Sequence, residues 1–67
     1  MNFAERLNSL LILNNLSQNE LAKRTGLTTA AICRYCRGNR QPSIDNLVRI
    51  CDALNVSADY LLGRVYK

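Results

Sequence analysis

Phe3, Leu7, Leu10 and Leu11 recur at three- and four-residue intervals, which places them on one side of a helix from about residue 3 to 13. Asn14 and Asn15 end it, because Asn is among the few residues that tolerate a left-handed backbone. Next comes an S-x-x-E capping box at Ser17 and Glu20, with Leu16 and Leu21 spaced as a hydrophobic staple. It predicts a second helix over 18–25, stopped at Gly26. Thr28 starts a third over 29–37, with Leu27 and Ile32 in the same staple relation and Gly38 behind it. Ser43, after Pro42, starts a fourth over 44–54, whose expected apolar face is Ile44, Leu47, Val48, Cys51 and Leu54. Ser57 starts a fifth over 58–62, with Val56 and Leu61 placed to close it and Gly63 to stop it.

The pattern describes an all-α chain of five short helices, organised as one domain over residues 1–67. At 67 residues the core is near the lower limit for stability without a metal or disulfide. A hydrophobic fraction of 48% with regular spacing still favours a packed fold over disorder. No apolar run approaches the ~20 residues of a membrane span, and the N-terminal stretch lacks a basic region followed by a cleavage site. With an odd number of cysteines and no other sign of secretion, a reducing cytoplasm is the expected location.

Charge is distributed unevenly. Lys23, Arg24, Arg34, Arg37 and Arg40 follow one another with no intervening acid, while the flanking segments roughly balance. The net charge of +4 therefore sits in one region, as contact with a polyanion requires. The competing reading of Lys23 and Arg24 is that they keep a small domain soluble.

The stretch LSQNELAKRTGLTTAAICRYCRG, the following NRQPS and the helix NLVRICDALNVSADYLL together resemble the helix-turn-helix family of phage Cro and repressor proteins. The resemblance covers about Phe3 to Gly63 and implies a compact five-helix lambda-repressor-like domain. Small Ala22 suits a close approach of two helices, and Gly26 makes the turn; Leu21, Leu27, Ile32 and Tyr35 clamp the two-helix unit to the core. The third helix would enter the major groove through its first turns, with the second crossing above it.

Thr29, Ala30 and Arg34 occupy positions that resemble the family's base-reading residues, with Cys33 beside them. Arg34 has the donor fork for guanine O6 and N7, worth ~1–3 kcal/mol of discrimination when bidentate. Thr29 offers a hydroxyl or a methyl, and Ala30 only apolar contact. Phosphate contacts are expected from Gln18 at a helix start, from Arg37, Arg40, Ser43 and Asn46 near the third-to-fourth helix junction, and from Lys23 at longer range. Val56, Tyr60, Leu62, Val65 and Tyr66 exceed the needs of one short helix and are candidate dimer contacts.

Many family members pair an Arg in the first helix with a Glu at the end of the third. The equivalent positions here are Leu11 and Cys36, so both charges are lost together and neither is left buried alone. Cys33 and Cys36 form a C-x-x-C inside a helix, and without His a four-ligand zinc site would need carboxylates or a second subunit. No metal or other cofactor is expected. Cys51 is read as a core residue, and redox control through Cys33 is the alternative role for a thiol. Scattered carboxylates and the absence of a phosphate-binding glycine loop argue against an enzyme.

The leading expectation is a sequence-specific regulator of transcription, most simply a repressor, bacterial or phage-encoded and nucleoid-associated when bound. Its partner would be double-stranded DNA, a near-palindromic operator met by a homodimer, with no small-molecule ligand evident. The alternatives are a protein-interaction module or antitoxin-like adaptor that retains the fold, and the DNA-binding portion of a longer regulator.

Overall fold

The computed structural model describes residues 2–64. Among these residues five helices follow in order: α1 (Phe3–Leu13), α2 (Gln18–Thr25), α3 (Thr29–Arg37), α4 (Ile44–Leu54) and α5 (Ala58–Leu62). Ser17, Thr28, Ser43 and Ser57 are N-caps, each accepting a hydrogen bond from the backbone N–H three residues on. The start of α1, which the apolar pattern leaves uncapped, obeys the same rule. Asn2 accepts from the Glu5 N–H, and the Glu5 carboxylate accepts from the Asn2 N–H. Each such cap satisfies a backbone donor that the helix leaves unpaired, a contribution of ~1 kcal/mol.

The exits are left-handed. Asn15 has φ +54° and allows the Leu16 N–H to reach back to the Leu11 carbonyl at 2.9 Å. Gly26 ends α2 at φ +74°.

Each helix places one side chain fully inside: Leu7, Leu21, Ile32, Ile50 and Leu61. Around these five pack Phe3, Leu10, Leu11, Ala22, Tyr35, Cys36, Cys51 and Leu54. A buried Leu or Ile contributes roughly 1.5–3 kcal/mol of transfer free energy, so one core of this size serves all five helices. α2 packs on both α3 and α4, while α1 spans from α3 to α5. Leu11 and Cys36, at the positions where the resemblance implies a charged pair, are both buried. Nearby, the Asn8 amide donates to the Cys36 carbonyl at 2.8 Å and to Ala4 at 3.0 Å, fastening the end of α3 to α1.

The buried face of α4 differs from expectation. Ile44 is 81% and Val48 50% exposed, whereas Ile50 is fully buried with Cys51 and Leu54, and Leu47 is half-buried. At about 100° per residue, positions 47, 50, 51 and 54 fall within an arc of roughly 100°, and 44 and 48 lie beyond its edge. The candidate dimer contacts lie on α5 and just before it. Tyr60 is half-buried, packed against the core with the Arg6 guanidinium 5.2 Å from its ring centre, and Val56 also packs inward. Both contribute to the core of their own chain and keep part of their surface exposed. Leu62 remains 44% exposed, and Val65 and Tyr66 lie outside the described residues.

Candidate nucleic-acid interface

The turn between α2 and α3 is fixed from two sides. Thr25, buried, donates its hydroxyl to the Leu21 and Ala22 carbonyls at 2.9 and 3.1 Å and accepts from the Leu27 N–H at 3.3 Å. From α4, Arg49 Nη1 donates to the Thr25 carbonyl at 3.1 Å. Buried Leu21, Ala22, Ile32 and Tyr35 hold the unit to the core, and Leu27 packs against it half-buried. The helix pair is thus held to the core from behind.

The outward side of the pair belongs to α3. Ile32, Tyr35 and Cys36 point inward, leaving Thr29, Ala30, Cys33, Arg34 and Arg37 on an arc of roughly 140°. Thr29, Ala30, Arg34 and Arg37 are exposed and Cys33 is half-buried. The four candidate base readers therefore share one face. Arg37, expected at a phosphate, lies on the same arc.

At one corner the starts of α2 and α3 meet, joined by a bond from the Thr29 hydroxyl to Asn19 Oδ1 at 2.8 Å. The Ser17 and Thr28 caps take the Glu20 and Ala31 N–H groups. The N–H groups of Gln18, Asn19, Thr29 and Ala30 then have no intrahelical acceptor and remain available to an external one. Gln18 is half-buried there. Glu20, held below the usual carboxylate range by hydrogen bonds from Ser17 and then by Arg24 and Lys23, stays ionised as part of the cap.

At the other end, Arg40 is exposed and Ser43 accepts from the Asn46 N–H at 3.2 Å, leaving its hydroxyl proton available. Asn46 is partly committed within the chain. Its amide donates to the Tyr35 hydroxyl at 3.1 Å and so links α4 to α3. Lys23 is exposed on α2, away from this junction in sequence. Asn19 and Arg49 are the residues of this region that sequence patterning missed. Neither belongs to an apolar period or a cap, so no local signal marks them.

Burial pushes the thiols of Cys36 and Cys51 up, with smaller contributions from Cys33 and Asp52 respectively. No group of three or more His, Cys, Asp or Glu side chains among the described residues is placed to hold a metal ion. No helix among them is long and apolar enough to cross a membrane.

Comparison with known proteins bears on this arrangement directly. A helix-turn-helix family model matches residues 7–61. The cryptic phage CTXphi transcriptional repressor RstR of Vibrio cholerae is 36% identical over 64 residues, covering 96% of this chain and 57% of that protein. The control protein C.SmaI of Serratia marcescens is 38% identical over 61 residues, covering 91% of this chain and 73% of its own length. Among solved structures, the P22 c2 repressor in complex with synthetic operator 9T superposes with a TM-score of 0.91 at 29% identity, over 97% of this chain and 98% of that one. The chain spans about half the length of several of the relatives it matches. On fold and on sequence alike, the chain belongs to the helix-turn-helix family of Cro and repressor proteins, with α2 and α3 as its helix-turn-helix.

Proposed function

We propose that this chain is a sequence-specific double-stranded DNA-binding regulator of transcription, acting as a repressor that occludes a promoter. The outward arc of α3 carries the reading: it exposes Thr29, Ala30, Arg34 and Arg37 on a helix pair held to the core from behind. α3 lies in the major groove through its first turns. Arg34 reads guanine, and Thr29, Ala30 and Cys33 supply the remaining contacts to base edges.

The joined starts of α2 and α3, with Gln18, take one phosphate, and Arg37, Arg40, Ser43 and Asn46 take a second, with Lys23 adding long-range attraction. Two copies bind a near-palindromic operator in the cytoplasm, about one helical turn apart. The superposition on a repressor solved with its operator supports this docking. No catalytic role is assigned: Glu5 and Glu20 are already committed to capping boxes.

Selection from a randomised duplex library, followed by binding at several salt concentrations, tests the proposal. Enrichment of a two-half-site sequence, lost on Arg34→Ala, is the expected result. Weak, strongly salt-dependent binding with no enriched sequence would leave only nonspecific electrostatics and would sink it.

A further inference from the structure

We propose that Asn19 and Thr29 form one reading unit, in which Asn19 fixes the Thr29 hydroxyl as an acceptor and directs it to a base with an amino group in the major groove. The inference rests on the DNA-binding function above and deepens it. Both residues are exposed, ten positions apart, and their bond joins the first turns of two helices at the edge of the reading face. A threonine hydroxyl has one proton and two lone pairs. Here the proton points at Asn19 Oδ1, 2.8 Å away, so only the lone pairs and the methyl remain for a partner.

The polarity of that arrangement selects among bases. Adenine presents its N6 amino group and cytosine its N4 amino group in the major groove, and each donates to an acceptor. Guanine O6 and thymine O4 are themselves acceptors and would face the threonine lone pairs with no proton between them. Asn19 thereby restricts a residue that, left free, tolerates either polarity. The same bond leaves its own mark on Asn19. With Oδ1 directed at Thr29, its Nδ2 group has no partner among the described residues and is free to donate to a phosphate oxygen beside the groove. Asn19 is a positioning residue, and Thr29 makes the base contact.

The test compares library selections with the wild-type chain and Thr29→Val, Asn19→Ala and Asn19→Asp, all at exposed positions. The operator position read by Thr29 is the one whose preference changes in Thr29→Val. In the wild type it carries adenine or cytosine, favoured roughly tenfold over guanine or thymine, the scale of one hydrogen bond. Asn19→Ala frees the hydroxyl and admits guanine or thymine there, without altering the guanine lost on Arg34→Ala. Asn19→Asp keeps an acceptor for the hydroxyl, so the adenine or cytosine preference survives while overall affinity falls through loss of the amide donor and addition of negative charge. A guanine or thymine at this position in the wild type, or an unchanged preference in Asn19→Ala, overturns the inference and leaves the DNA-binding function standing. Failure of the wild type to enrich any sequence overturns that function and the inference together.

Discussion

Arg49 Nη1 lies 3.1 Å from the Thr25 carbonyl, so a side chain of α4 closes the last turn of α2 at the point where the chain swings into α3. The same nitrogen stands 3.2 Å from where a Cβ on Gly26 would be, and Gly26 has φ +74°. The same guanidinium thus ties α4 to the end of α2 and leaves little room for a side chain at the turn.

Gly26→Ala is expected to cost about 1–2 kcal/mol from the left-handed backbone alone, and more if the Arg49 contact cannot yield. Thermal unfolding checks this, since each kcal/mol lowers the midpoint of a domain this small by ~4–8 °C. Arg49→Met removes the hydrogen bond and should cost about 1 kcal/mol. In the double variant the two costs should combine to less than their sum, because the crowding disappears with the guanidinium.

Arg34→Ala and Arg40→Ala should fail in different ways. Loss of Arg34 is expected to cost ~1–3 kcal/mol on the operator and to flatten preference at one position. Loss of Arg40 should weaken operator and unrelated DNA alike and reduce the slope of log affinity against log salt by about 1. Equal effects of the two on base preference would show that α3 is not the reading element.

The α2 cap should be acid-sensitive. Glu20 is held below its usual pKa of 4.5 by hydrogen bonds from Ser17, so its folded state binds a proton less readily than the unfolded chain. Its contribution is complete above about pH 4.5 and is lost as pH falls through the lowered folded value. Denaturation of wild type and Glu20→Gln across pH 7 to 2 should therefore show a stability gap at neutral pH that narrows in acid. A gap independent of pH would remove the carboxylate from the cap.

The thiols should separate by reactivity. Cys33 is half-buried on the outward arc, while Cys36 and Cys51 are buried with thiols pushed up. One equivalent of iodoacetamide at pH 8 is expected to label Cys33 first, as read by mass spectrometry, and the other two only on unfolding. Operator DNA should protect Cys33, and the added group should weaken binding by crowding the arc. For the buried pair the folded state holds its protons more tightly, so their contribution is full below about pH 9 and fades as pH rises through their raised folded values.

Helix starts and stops were legible because they are decided by adjacent residues. Ser17 with Glu20 satisfies backbone donors three positions away, and no distant contact is needed to make the pair effective. Periodicity was less reliable on α4. Ile44 and Val48 have the composition of core residues but lie outside the arc that meets α2 and α5. Ile50 is absent from the expected apolar face, although its spacing from Leu47 and Leu54 carries the signal.

The sequence by itself determined where the helices run, which short segment makes the turn and where the cations collect, since caps, glycines and charge are local properties. Only the tertiary structure decided how the surface is used. Asn19 meets Thr29, Arg49 meets Thr25 and Asn46 meets Tyr35 across 10, 24 and 11 positions, through bonds between residues that follow no shared period. A polar side chain's hydrogen-bond partner depends on which helix ends pack together. That packing is set by the shared core, not by the chain on either side of the residue.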